Sequence, residues 1–93
     1  MNTTDLIFRM AEAGWSHSEC NVVSPGQLEI VFYDLGVVNE SITFRLSPEQ
    51  DHGSVSWMAG GSTGQIGFCM DKMEMSVLQM FDRMIGENMK KDV

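Results

Sequence analysis

The sequence predicts an α+β domain: a two-layer sandwich in which an antiparallel sheet of three to five strands is flanked in sequence by an N-terminal and a C-terminal helix, in the order α-β-β-β-β(β)-α. Three observations predict it. Apolar residues recur at helical spacing near both termini; the spacing changes to period two after Trp15; and Gly and Pro punctuate the middle of the chain at hairpin intervals. Both helices are amphipathic and each needs a sheet to cover, which places them on one face.

At the N-terminus Thr3 or Thr4 is placed to cap a first helix, with Asp5 at its positive end and Leu6, Ile7, Met10 and Ala11 on one side. Gly14 supplies the stop. A first strand from Ser16 to Val23 ends at Ser24-Pro25-Gly26, where Pro then Gly suit a type II turn; its polarity fits a sheet edge. The second strand, Gln27 to Leu35, alternates most clearly, with Leu28, Ile30 and Phe32 inward and Glu29, Val31 and Tyr33 outward. The third, Ser41 to Ser47, puts Ile42, Phe44 and Leu46 inward and Thr43 and Arg45 outward.

After the polar stretch Pro48 to Gly53, Val55 and Trp57 mark a fourth strand. The run Gly60-Gly61-Ser62-Thr63-Gly64 is expected to break it, and Gln65 to Met70 to return as a short fifth strand bearing Ile66 and Phe68. Asp71 and Glu74 have capping-box spacing, and Met73, Val77, Met80, Phe81, Met84 and Ile85 then form the stripe of the C-terminal helix. Met75 projects off that stripe beside Leu78 and Asp82.

A chain of 93 residues has room for one hydrophobic core and hence one domain, residues 1–93. No apolar run approaches the roughly 20 residues that span a bilayer, and no basic-then-apolar leader opens the chain. The expectation is a soluble cytoplasmic protein. Thirteen acidic side chains against six basic ones give a net charge of −7, which repels a phosphate backbone and excludes nucleic acid as a direct ligand. Between Ala11 and His52 lie Glu12, Glu19, Glu29, Asp34, Glu40, Glu49 and Asp51, with Arg45 the one strong base. That stretch favours a basic protein partner.

Reaction chemistry is sparse. His17, Cys20, His52 and Cys69 add up to a two-His, two-Cys zinc set, yet in a strand His17 and Cys20 point to opposite faces. Buried thiols, exposed imidazoles and no metal are expected. Cys69, just before a helix, is also the one candidate nucleophile of a Cys–His pair, with core packing the preferred account. The glycine run could cradle an anion, but it has no Gly-Lys-Ser/Thr ending and reads better as a hairpin tip. Neither an enzyme nor a cofactor is expected.

Partner-binding candidates are Glu29, Val31, Tyr33, Asp34, Glu40 and Arg45 on the sheet, whose aromatic and Arg members are types that interface hot spots favour, and Met75 on the last helix. Six of the nine methionines fall between Met70 and Met89, so a homodimer or assembly through that helix is the rival reading. A metal-binding or thiol enzyme is the third.

The opening Met1-Asn2-Thr3-Thr4-Asp5-Leu6-Ile7 resembles the start of short acidic anti-CRISPR inhibitors, proteins of the kind phages and mobile elements encode. That resemblance implies an inhibitor of a nuclease surface meant for DNA. The dense C-terminal acidic run of those inhibitors has no counterpart here. Asp5-Leu6-Ile7 through Ala13-Gly14-Trp15 also resembles the first helix of HicA-type domains, which implies an α-β-β-β-α fold. Ser16-His17-Ser18 departs from that family's Gly-Ser-His run, and its RNA-directed activity is not carried over. The combined expectation is a small acidic inhibitor or adaptor that blocks a basic site on a nucleic-acid-binding protein.

Overall fold

The structure is a computed structural model, described at residues 2–15, 17–33, 40–59 and 61–92. Its order is α1 (Thr3–Glu12), β1 (His17–Ser24), β2 (Gln27–Tyr33), β3 (Ser41–Ser47), a 3-10 turn (Pro48–Gln50), β4 (His52–Ala59), β5 (Ser62–Cys69), a second 3-10 turn (Met70–Lys72) and α2 (Met73–Asp92). The strands form one antiparallel meander in the spatial order β1-β2-β3-β4-β5. The predicted class holds, and the strand count reaches the top of the expected range.

Alternation along the strands sends one set of side chains to a single core. Ile30, Phe32, Ile42, Phe44, Leu46, Val55, Trp57 and Phe68 share it with Leu6 and Met10 of α1 and Met73, Val77, Met80 and Met84 of α2. Both helices therefore lie on one face. Phe32 and Phe44 meet edge to face with centroids 5.9 Å apart, a geometry aromatic rings prefer. Leu6 and Met10 are fully buried; at about 1.5–3 kcal/mol for each such side chain, they anchor a helix too short to persist alone.

Several local expectations need correction. The α1 cap is Asn2, not Thr3 or Thr4: its side chain accepts from the Asp5 amide at 2.8 Å while Asp5 accepts from the Asn2 amide at 3.3 Å. The reciprocal capping box wins because it satisfies two end amides rather than one. At the other end Gly14 takes φ 101° as the predicted stop. The proposed Asp71–Glu74 box is replaced by the 3-10 turn, with Asp71 inside it and no side-chain cap at Cys69. Residues 34 and 35 of the expected second strand, and the side chain of Ile85, lie outside the described residues.

The glycine-rich run is the largest difference. It is a hairpin tip, as expected, but a shorter one: β4 and β5 pair continuously from Ala59↔Ser62 to His52↔Cys69, so Ser62, Thr63 and Gly64 belong to β5 rather than to a break, and Gly61 has φ 78°. Gly64 lies opposite Trp57, and a Cβ there would collide with the indole ring. The glycine makes room for the tryptophan, whose Nε1–H donates to the buried Ser62 hydroxyl at 3.2 Å. The Arg83 guanidinium stands 5.8 Å from the centre of the same indole, tying α2 to β4 by a cation–π contact.

Candidate functional site

Because both helices occupy one side of the sheet, the other side is left to the outward half of each strand. Register aligns Asn21, Glu29, Arg45, Ser54 and Gly67 in one row across it, Glu19, Val31, Thr43, Ser56 and Gln65 in the next, and Tyr33, Ser41, Met58 and Thr63 in a third. None of these residues is buried. Among the described residues, nothing packs over this face.

Four of the sequence-predicted partner residues come together there. Glu29 and Arg45 are directly opposite on β2 and β3, with Arg45 Nε 3.1 Å from Glu29 Oε2. The Arg45 side chain is largely exposed, so the pair contributes at most about 1 kcal/mol to stability. Val31 and Tyr33 are half-buried one and two rows away. Glu40, also half-buried, precedes β3. Asp34 lies outside the described residues. Met75 is not part of this face. It is 66% exposed, as its helical projection predicts, but it sits in a groove between α2 and the β5 edge with Ile66, Lys72, Leu78 and Asp82.

The carboxylates divide among several places. Glu19 and Glu29 are on the outer face, and Glu29 is ion-paired. Asp5, Glu12 and Glu74 gather around Arg9 between α1 and α2. Glu49, Asp51 and Asp71 belong to the end of the sheet where β3 turns into β4 and β5 into α2.

The cysteines are exposed, which corrects the expectation of buried thiols. Cys20 faces the helix layer, but from edge strand β1, where its neighbours Asn21 and Val22 are exposed as well. Cys69 is the last residue of β5, outward and opposite His52. The zinc set does not assemble, because β1 with His17 and Cys20 lies four strand spacings from β5, about 19 Å. Asp51, Cys69 and Asp71 do bring ligand atoms within 4.8 Å of one another, all three residues exposed. Water reaches each group, and Cys69 with His52 borders the groove between α2 and the β5 edge.

Sequence reasoning missed the exposed apolar residues Phe8, Val22, Val23 and Met58, whereas Leu78 is exposed beside Met75, off the buried stripe, where the helical projection puts it. For Val22 the signal was available: a strand polar enough to be an edge leaves even its inward side chains short of helix cover. Compared with protein-family models, curated proteins and solved structures, the chain matches none.

Proposed function

We propose that the chain is a protein-binding module, an inhibitor or adaptor, that docks through the outer face of its sheet onto a basic site of a nucleic-acid-handling protein. One observation carries this reading: a sheet face on which, among the described residues, none is buried and none forms a covering layer, bearing Glu29, Val31 and Tyr33 of β2 and Arg45 of β3. Antiparallel sheets tolerate one solvated face, so the open face alone costs nothing. Its Tyr and Arg side chains are the types that supply binding energy once a partner excludes water.

Charge supplies the direction. A net charge of −7 accelerates encounter with a cationic surface and disfavours competition by nucleic acid for the same face. Occlusion of a site meant for phosphate follows from that complementarity, and the N-terminal likeness to anti-CRISPR inhibitors makes a nucleic-acid-guided nuclease the first target to assay. The test is inhibition of such a nuclease, or of another basic nucleic-acid enzyme from the same host, by the purified chain. Inhibition relieved by Tyr33→Ala with Glu29→Lys, which puts positive charge on the face meant for a basic site, supports the reading. Inhibition indifferent to both substitutions rejects the outer face as its basis.

A further inference from the structure

The two open edges of the sheet differ. β1 carries Glu19 and a register shift between Val22 and Ser24, features that discourage further strand pairing. β5 has neither. Its eight residues, Ser62–Cys69, include no charge and no proline, and its register with β4 runs without a shift. A regular, uncharged edge is a template for another strand.

The groove beside that edge says which strand. Lys72, the last residue of the second 3-10 turn, and Met75, Leu78 and Asp82 of α2 follow one another at spacings of three and four, and all four line it with Ile66. The stripe has a cation at one end, an anion at the other, and exposed Met75 and Leu78 between them. Such a pattern is complementary to its own reverse. A two-fold axis passing near helix position 77 sets Lys72 of each copy opposite Asp82 of the other, while the methionines and leucines meet in the middle. The same axis, normal to the sheet, lays β5 antiparallel to a second β5. Strands about 4.8 Å apart bring the helices above them to the roughly 8–10 Å at which helices pack. β5 itself contributes no carboxylate to the junction; the acids near it are Asp82, set opposite Lys72 of the other copy, and Asp51 and Asp71 at the Cys69 end of the strand.

The geometry points to a homodimer in which β5 pairs with β5 of a second copy and the Lys72-Met75-Leu78-Asp82 stripes close over the junction. The five-stranded sheet becomes a continuous ten-stranded one. This goes beyond the proposed function: the outer faces of both copies stay open, side by side, on the same surface.

Analytical ultracentrifugation of the full chain tests it. The expected mass is twice 10.4 kDa, falling to that of a monomer on Met75→Lys with Leu78→Lys, both exposed positions whose replacement leaves the fold intact. Lys72→Asp alone raises the dissociation constant about tenfold by turning two attractions into repulsions, and adding Asp82→Lys brings it back to within about threefold. A wild-type monomer up to about 1 mM, which corresponds to about −4 kcal/mol of association, overturns the proposal. So does a dimer that ignores the α2 substitutions, or one abolished by Val22→Lys on β1.

Discussion

Gly64 and Ser62 show how single residues set the far edge of the sheet. The Trp57 indole occupies the space a side chain at 64 would need, and its N–H is satisfied by Ser62. Gly64→Ala therefore lowers stability by about 1–3 kcal/mol through overpacking, read as a shifted urea midpoint. Ser62→Ala costs about 1–3 kcal/mol by leaving the buried indole N–H unpaired. Gly53→Ala belongs to the same class, since its Cβ would stand 2.7 Å from Phe68 Cε2. A midpoint unchanged for Gly64→Ala would mean that the indole does not lie across that position. These residues were visible in the sequence as a glycine cluster, but their purpose was not. A glycine that makes room for a tryptophan across a strand pair looks the same as a glycine that turns a loop until the register is known. The cysteines were misread for a related reason: a thiol beside bulky neighbours packs inward only if its strand has cover on that side.

At the scale of elements, periodicity was a sufficient guide. The 2.0 period of Leu28, Ile30 and Phe32 and of Ile42, Phe44 and Leu46 placed β2 and β3 on their correct faces, and the stripe from Met73 to Met84 placed α2. Helix starts were less legible, because several adjacent polar residues compete to cap and the winner depends on which amides it reaches. Asn2→Ala should remove the α1 capping box at a cost of about 1 kcal/mol, with loss of amide protection confined to the first turn. The contrasting case is Met75→Lys at a largely exposed side chain, which should change stability by no more than about 0.5 kcal/mol by denaturant melting. A larger loss would mean that Met75 supports the fold, and the groove beside β5 would then be structural packing.

At the scale of the molecule, the two faces of the sheet differ in composition. One face holds every buried aromatic and both helices; the other holds hydroxyls, Val31, Tyr33 and a solvent-screened ion pair. Amino-acid order determines this division, since each strand contributes alternate residues to each side. What the order left open is how the carboxylates fall: Glu19 and Glu29 reach the outer face, whereas Glu12 joins the helix side and Glu49 and Asp51 the sheet end. In the proposed function, attraction to a basic partner is accordingly long-range and spread over the molecule. Association should slow steeply with salt, while dissociation answers to Tyr33 and Arg45.

The most direct test is quantitative capture of host proteins on immobilised chain, wild type beside Tyr33→Ala with Glu29→Lys, at salt concentrations from about 50 mM to about 500 mM, a range that shortens the screening length from over 10 Å to a few ångströms. The account predicts a basic nucleic-acid-binding protein that is enriched on the wild-type chain at low salt, is lost at high salt, and is missing from the substituted chain throughout. Equal enrichment on both chains, or capture that persists unchanged across the salt range, would contradict it.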